Sequence, residues 1–337
     1  MICAHHIFRC CKWLERAGDR ITGAAGPYFV GLAIILQTIG AASFFTVIQP
    51  SLPLPWLTTP PCVLIALNLF THYYYVCTVP PGFVQDEVLQ PGSGRLWASP
   101  SRPFRLSSSG VRWSNSGITL LKASTTRCRR CGLMRPERAH HCRICGRCVM
   151  KYDHHCPLPA GINQCVGLHN ERHFVLFMAY LVLSTFCLSI LGYSVALEAI
   201  GLTFSKHWPY MVPQLAYILT YMLSVVLCVA VFIMFSWHLW GVSRGETTVE
   251  AQDHEVYKRV ANDRGDNFVN SYDLGKSTNL RLFFNIGPDG YPWYTLILPL
   301  RIMPYTDGRS WARREGFQRH QGVQEGEELT DDDDDDE

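Results

Sequence analysis

Residues 128–165 decide the fold, and they read CRRCGLMRPERAHHCRICGRCVMKYDHHCPLPAGINQC. This Cys/His segment holds seven of the chain's 14 cysteines and four of its 13 histidines. Two cysteines that are two residues apart can hold one ion from a tight turn, and further Cys or His ligands complete a tetrahedral zinc site. Two such sites need about eight ligands. The segment offers eleven candidates, seven Cys plus four His, so its spacing predicts two zinc sites and leaves open which three residues are spare.

The surplus of ligands indicates a reactive thiol. His154, His155 and Cys156 are adjacent, and neighbouring side chains point in different directions along most backbones, so they cannot all face one metal. One imidazole that faces zinc and one that faces the thiol is the economical arrangement. Because an imidazole beside a thiol favours the thiolate, we predict Cys156 as a nucleophile with His154 as its base. Asp153 would orient His154 and stabilise its charge.

Four long uncharged stretches predict an α-helical integral membrane protein. Only 17% of the residues are charged, against about 25% in soluble domains. Residues 28–48, 62–79, 174–197 and 211–237 contain no Asp, Glu, Lys or Arg. Each is long enough to cross a hydrocarbon core of roughly 30 Å as a helix. We therefore expect transmembrane helices 1 and 2 within residues 28–79 and helices 3 and 4 within residues 174–237, in preference to buried helices of a soluble protein.

Charge asymmetry predicts how the chain is oriented. Residues 80–173 carry 14 Lys and Arg against five acidic residues, and the N-terminus is basic at Arg9, Lys12, Arg16 and Arg20. The positive-inside rule places both segments in the cytosol. An even number of spans then puts both termini there as well. Because cytosolic thiols stay reduced, the Cys/His segment is expected to bind metal or to catalyse a reaction instead of forming disulfides.

The remaining segments divide the chain further. We expect a cytosolic N-terminus at residues 1–27, a linker rich in Ser, Pro, Gly and Arg at 80–127, the Cys-rich domain at 128–173, a cytosolic C-terminal region at 238–310, and a disordered acidic tail at 311–337. The net charge of +2 favours no particular partner, and we predict the lipid bilayer as a partner and no nucleic acid. Thr247 followed by Glu250 three residues later is typical of a capping box at a helix start.

The order Asp153-His154-His155-Cys156, inside a Cys-rich cytosolic loop between the second and third of four spans, closely resembles the DHHC protein S-acyltransferases (palmitoyltransferases). Thr247-Thr248-Val249-Glu250 is similar to the family's TTxE motif. Residues 268–284, with Asn270, are similar to its C-terminal aromatic-Asn element. These matches imply a membrane fold with a zinc-binding domain between helices 2 and 3.

The resemblance also implies a role for each site residue. It implies one zinc ion held by Cys128, Cys131, His141 and Cys148, and a second held by Cys142, Cys145, His155 and Cys165. Cys156 would be the nucleophile, His154 its base and Asp153 the orienting acid. Leu158, Phe174 and Phe177 would bind the acyl chain, while Thr247, Thr248, Glu250 and Asn270 would be structural.

The activity that the resemblance implies is protein S-acyl transfer. A long-chain acyl group would move from acyl-CoA, such as palmitoyl-CoA, to cysteine thiols of cytosolic or membrane proteins through an acyl-Cys156 intermediate. Two structural Zn²⁺ ions and an ER or Golgi location are implied as well. The chain departs from the family where residues 156–165 form a loop three residues longer than usual, and where Leu158 replaces a Trp.

Other classes of protein share parts of this pattern. A membrane-anchored zinc-binding interaction module, or a RING-like ubiquitin ligase, would use the same eight ligands but has no need of Asp153, a spare imidazole and a free thiol. A transporter or channel predicts ionisable residues within the spans, where only His72 occurs. A catalytically inactive scaffold of the family is the third alternative. Labelling of Cys156 by an acyl donor would separate the enzyme from all three.

Overall fold

The computed structural model describes residues 18, 25–86, 119–156, 161–202, 208–287 and 290–324. Four long helices form a bundle: α1 (Ala25–Ser51), α2 (Pro55–Thr78), α3 (Glu171–Leu191) and α5 (Gln214–Ser243). Of these, α1, α3 and α5 are long and apolar enough to cross a membrane. Helix α2 corresponds to the second predicted span, but its Pro, Thr, Tyr, Asn and His side chains make it more polar than the others.

Some helices begin or end at different residues from the uncharged stretches that predicted them. Helix α2 begins at Pro55 although Pro60 and Pro61 lie inside it, so the loop after α1 is short. The third stretch is interrupted at Gly192, where a Cβ atom would lie 2.5 Å from the Leu188 carbonyl oxygen and 2.7 Å from the Tyr217 hydroxyl. Only a residue without a side chain fits there. The chain continues as a separate short helix, α4 (Tyr193–Ala199).

Residues 125–166, which include the Cys/His segment, fold into short antiparallel hairpins with little apolar core of their own. The strands are β2 (Thr125–Arg127) with β3 (Met134–Pro136), β4 (His140–Cys142) with β5 (Arg147–Val149), and β6 (His154–Cys156) with β7 (Gln164–Val166). Isolated two-stranded hairpins are marginally stable in water. A metal ion bound between them would cross-link such hairpins and stabilise one arrangement.

The C-terminal region returns to the Cys-rich domain. Helix α6 (Thr248–Asp263) and helix α7 (Lys276–Phe284) follow the bundle. Strand β8 (Ser310–Arg313) pairs with β1 (Thr119–Lys122), and Trp311 is fully buried. The linker predicted at 80–127 thus contains strands β1 and β2, and the tail predicted from residue 311 contains β8. None of these three strands is recognisable in the sequence, because β1 and β8 stabilise each other from far apart in the chain and the three residues of β2 are too few to show a period.

Candidate active site and metal centres

The first Cys/His cluster joins two hairpins. Its ligand atoms, from Cys128, Cys131, His141 and Cys148, lie within 4.8 Å of one another. The Sγ atom of Cys131 is 3.1 Å from Nδ1 of His141 and 3.7 Å from Sγ of Cys148. His141 and Cys148 are paired residues of β4 and β5. Three thiols and one imidazole form a complete tetrahedral donor set for Zn²⁺.

The second cluster consists of Cys142, Cys145, His155 and Cys165, also within 4.8 Å of one another. Nδ1 of His155 lies 3.4 Å from the Sγ atoms of both Cys145 and Cys165. The four residues predicted for each zinc ion therefore come together as two separate clusters. Four protein ligands leave no open coordination position, which is typical of structural and not catalytic zinc.

Strand geometry explains why the two clusters interleave in sequence. Successive side chains on a strand point to opposite faces. On β4, His141 belongs to the first cluster and Cys142 to the second. On β6, His155 faces the second cluster, whereas His154 and Cys156 share the other face. The same alternation therefore separates the metal ligand from the base and thiol.

Both Cys-x-x-Cys turns close in the same way. The N–H group of Gly132 donates to the carbonyl oxygen of Cys128, and that of Gly146 donates to the carbonyl oxygen of Cys142. Both glycines have positive φ angles, +70° and +65°. This conformation is unfavourable in free energy for residues with a side chain. This local geometry directs each pair of thiols toward one point, and it fits a zinc ion in each cluster.

The lengthened loop still delivers Cys165 to its cluster. Leu158, predicted to touch the acyl chain, lies among residues 157–160, outside the described residues. After them Gly161 packs against the backbone of Phe29 on α1, where a Cβ atom would lie 2.8 Å from the carbonyl oxygen. The Tyr73 hydroxyl donates to the Gly161 carbonyl oxygen over 2.9 Å. These contacts hold the end of the loop against the helices.

Asp153, His154 and Cys156 are brought together at the edge of the helical bundle. Nδ1 of His154 lies 2.6 Å from Oδ2 of Asp153, and Cys156 is buried. Burial disfavours the charged imidazole, but the hydrogen bonds with Asp153 and Cys156 outweigh it and raise the pKa of His154 to about 9. An imidazole with this pKa readily takes the proton of a neighbouring thiol, so the arrangement suits nucleophilic catalysis.

An apolar cavity of about 520 Å³ opens at the thiol. It is lined by His154 and Cys156 at one end, by Phe174 and Phe177 next to them, and by helices α1, α2, α3 and α5 along its length. Phe174 lies edge-on to His154, with ring centroids 5.1 Å apart. The two phenylalanines predicted to bind the acyl chain therefore line the wall of a cavity that begins at Cys156.

Comparison with known proteins shows which family this arrangement is similar to. Residues 122–255 match the family described as DHHC palmitoyltransferase. The matched segment, residues 122–255, is similar to a DHHC palmitoyltransferase domain and is called the DHHC domain. Palmitoyltransferase ZDHHC20-A of Danio rerio is 32% identical over 187 residues, which are 52% of this chain and 49% of that protein. Palmitoyltransferase ZDHHC15 of Homo sapiens is 32% identical over 213 residues, 62% of this chain and 56% of that protein. The chain thus spans about half the length of the curated relatives it matches.

The TTxE motif secures the acid of the DHHC domain. The Thr248 N–H group donates to Oδ1 of Asp153 over 2.8 Å, and its hydroxyl donates to the Asp153 carbonyl oxygen over 2.7 Å. Burial favours the neutral carboxyl group, but the nearby His238 and the hydrogen bonds from His154 and Thr248 hold the pKa of Asp153 well below its usual range. Asp153 is therefore a fixed carboxylate.

The same motif ties helix α6 to the DHHC domain through a buried ion pair. The capping box predicted at Thr247 and Glu250 is present. Oε1 and Oε2 of Glu250 also accept hydrogen bonds of 2.5 and 2.7 Å from Arg138. The Arg138 guanidinium lies 4.2 Å from the ring centroid of Tyr272 and 4.7 Å from that of Trp311. Arg138 thus joins the DHHC domain, α6 and the C-terminal strand.

Asn270 joins the C-terminal region to the end of α5. Its Nδ2 atom donates to the carbonyl oxygen of Arg244 over 3.0 Å, and its Oδ1 atom accepts from the N–H group of Tyr272 over 2.9 Å. Asn279 on α7 donates similarly to the carbonyl oxygen of Ser243 over 2.9 Å. The aromatic-Asn element therefore satisfies carbonyl groups at the helix terminus that would otherwise lack partners.

Two contributors to the site were missed by sequence reasoning. Arg138 was counted among the basic residues of the cytosolic loop, and His238 follows the last predicted span directly. Nδ1 of His238 lies 3.8 Å from Oδ2 of Asp153. No spacing rule connects residues so far apart in sequence, so only the packing of α5 against the DHHC domain identifies them.

Glu250→Ala is expected to destabilise the fold by about 3–5 kcal/mol, because it leaves Arg138 buried without its carboxylate partner. Burial favours the neutral form of Glu250, but Arg138 lowers its pKa to about 2 from 4.5. The stabilisation is thus complete above pH 4.5 and is lost as the pH falls toward 2. Thermal unfolding in detergent measures the effect.

Glu255→Ala, at an exposed site on the same helix, is the matched control. Equal melting temperatures for the two variants would refute the assigned role of the buried Arg138–Glu250 pair.

Proposed function

We propose that this chain is a protein S-acyltransferase, which moves a long-chain acyl group from acyl-CoA to cysteines of cytosolic or membrane proteins. One observation carries the proposal: Cys156 lies beside His154, and both line an apolar cavity between the helices of the bundle. A thiol placed there can react with a thioester while the acyl chain stays in an apolar environment.

The proposed membrane arrangement has four transmembrane helices, α1, α2, α3 and α5, with both termini and the DHHC domain in the cytosol. The uncharged length of α2, 24 residues, supports its place in the bilayer. Its polar residues Asn68 and His72 are buried inside the bundle and so avoid lipid. The excess of Lys and Arg in residues 80–173 supports the orientation. An endomembrane location, ER or Golgi, rests on the family alone.

Two zinc ions are proposed, one in each Cys/His cluster. When bound, zinc would supply cross-links between the hairpins and no reaction step, because each cluster has four protein ligands. The protein's own residues then perform the chemistry. His155 fixes the backbone of β6 from its metal-facing side, which presents His154 and Cys156 on the other face.

The dimensions of the cavity suit a palmitoyl chain. Its lining on α3 runs from Phe174 to Leu188, and these fourteen steps of about 1.5 Å span roughly 21 Å. An extended chain advances about 1.25 Å per carbon for C–C bonds of about 1.52 Å, so a sixteen-carbon acyl group is about 19 Å long. Burial of each methylene contributes about 0.8 kcal/mol. The acyl chain itself is therefore a large part of the binding energy.

The proposed reaction has two thioester exchanges. The Cys156 thiolate attacks the carbonyl carbon of acyl-CoA, the new C–S bond forms, and the bond to the CoA sulfur breaks. His154 holds the proton of Cys156 and gives it to the departing CoA thiolate. A substrate cysteine then attacks acyl-Cys156, with His154 taking its proton and returning one to Cys156. Asp153 stabilises the imidazolium in both steps.

The alternative of a zinc-binding interaction module without acyl transfer uses only part of this arrangement. Such a module needs the two clusters. It does not need an acid, a base and a thiol in contact, and it does not need a cavity of about 520 Å³ at the thiol. The deciding experiment incubates the purified full chain with radiolabelled palmitoyl-CoA. We expect a protein-bound label that hydroxylamine releases. A chain that holds two zinc ions yet takes up no label would contradict the proposed function.

Ser184→Phe is expected to shorten the acyl chain that the enzyme accepts. Ser184 lines the cavity, ten residues beyond Phe174 on α3 and so about 15 Å deeper. A phenyl ring there would obstruct chains longer than about twelve carbons. The ratio of lauroyl to palmitoyl labelling should rise at least about tenfold, because every excluded methylene forfeits about 0.8 kcal/mol. Leu183→Phe, which adds bulk at an exposed neighbouring position, should leave the ratio unchanged; a rise with both variants would contradict this placement.

A further inference from the structure

Asp153 has an incomplete set of hydrogen-bond donors. Its carboxylate is buried and accepts from the Thr248 N–H group at Oδ1 and from Nδ1 of His154 at Oδ2. A carboxylate has about four lone-pair sites, so a buried one is expected to accept further hydrogen bonds. His238, on α5, directs Nδ1 toward Oδ2 from 3.8 Å. A shift of less than 1 Å would make this contact a hydrogen bond.

His238 also contacts the aromatic wall of the apolar cavity beside Cys156, which is called the acyl cavity. Its ring lies edge-on to Phe174, with centroids 5.4 Å apart and an interplanar angle of 71°. Phe174 packs in the same manner against His154, at 5.1 Å and 66°. Two imidazoles therefore flank both Asp153 and Phe174, so a displacement of His238 would be transmitted to the acid and to the cavity wall together.

A second cavity, of about 430 Å³, borders Asp153, which does not line the acyl cavity. His238 and Asp153 both line it, together with Lys151, Trp237 and Thr248. Cys156 lines only the acyl cavity. His238 is about 10% exposed, and it covers part of the Asp153 carboxylate on the side of this second cavity. Without its ring, water would gain access to the carboxylate and weaken its interaction with His154.

We propose that His238 is a positioning residue for the acyl-transfer reaction, which fixes the Asp153 carboxylate through Nδ1 and holds Phe174 through its ring edge. The inference rests on the proposed function. With Thr248 at Oδ1 and His238 beside Oδ2, the Asp153 carboxylate is held in one orientation, which keeps the Nδ1 proton of His154 directed at Oδ2. The other nitrogen of His154 is then free for the thiol, and a preorganised carboxylate stabilises the imidazolium as it forms.

The test compares two residues of similar shape at position 238 in the full chain, with its zinc bound. His238→Asn retains a side-chain N–H donor near the place of Nδ1, whereas His238→Leu does not. The rate of Cys156 labelling is measured against palmitoyl-CoA concentration, with zinc content as the check on folding. Trp237→Phe, at an exposed neighbouring position of α5, is the matched control.

We expect His238→Leu to lower kcat at least about tenfold, the effect of one hydrogen bond to a charged group. KM should stay within about twofold and two zinc ions should remain bound, because His238 itself lines neither the acyl cavity nor a cluster, and a leucine of similar size still packs against Phe174. His238→Asn should recover most of the rate, which a merely space-filling role would not produce. If His238→Leu loses zinc, His238→Phe takes its place as the variant without a donor.

Equal rates for the Asn variant and the variant without a donor would overturn the inference, whether both are fast or both are slow. A rise in KM with unchanged kcat would overturn it as well, because it would assign His238 to acyl-CoA binding. These outcomes differ from failure of the proposed function, in which wild-type Cys156 takes up no label at all.

Discussion

Cys156→Ser is expected to abolish acyl-enzyme formation and acyl transfer, with a rate at least about a thousandfold below wild type. A Ser hydroxyl is a much weaker nucleophile than a thiol at neutral pH, and His154 is placed to assist a thiol. Labelling by radiolabelled palmitoyl-CoA, followed by transfer to a cysteine-containing acceptor peptide, measures both steps. Every other residue of the site would remain in place.

Two controls separate chemistry from folding in this experiment. The Ser variant should retain two zinc ions, because Cys156 faces away from the cluster that contains His155. Cys77→Ser is the matched control, since Cys77 packs against the same apolar core as Cys156 but belongs to neither cluster. Undiminished labelling of Cys156→Ser would show that another residue is the nucleophile.

Cys165→Ser is expected to cause the second large effect, loss of the second zinc ion together with the fold of the β6–β7 hairpin. Cys165 pairs with His155 in this hairpin and lies 3.3 Å from Sγ of Cys145. Zinc contributes about 10–16 kcal/mol to the folding of small zinc domains, and these hairpins have little apolar core. Zinc content, protease resistance and labelling should therefore fall together, and chelation of the wild type should have the same effect.

His140→Ala provides the comparison for the zinc experiment. His140 neighbours His141 on β4 but belongs to neither cluster of described residues, so this variant should keep two zinc ions. If the Cys165→Ser protein retained both zinc ions and full activity, Cys165 would not be a zinc ligand. That outcome would also show that the longer loop between Cys156 and Cys165 has changed how the second site is built.

Local chemistry in the sequence predicted the parts of the site that lie close together in the chain. The density of Cys and His indicated two metal sites, and the adjacency of His154, His155 and Cys156 indicated a division between metal and thiol. The composition left three of the candidates unassigned. In the structure, alternation along β6 places His154 and Cys156 opposite the ligand His155, and His140 lies outside both clusters. Strands of three residues are too short to be recognised from periodicity.

The long-range parts of the site could not be predicted in the same way. Arg138 meets Glu250 across 112 residues, and Thr248 meets Asp153 across 95. The capping box was recognisable because it is local, but its second role, to hold an arginine of the DHHC domain, depends on tertiary packing. The acyl cavity likewise forms only where several helices pack together. The uncharged stretches predict the helices that line it, but they do not predict that Cys156 lines it as well.

Mass spectrometry of the intact protein after incubation with palmitoyl-CoA tests the central claim most directly. We expect native protein with two zinc ions and one added acyl group, which hydroxylamine removes and which fragmentation locates at Cys156. Acyl addition elsewhere in the chain, or none on protein that retains both zinc ions, would contradict it.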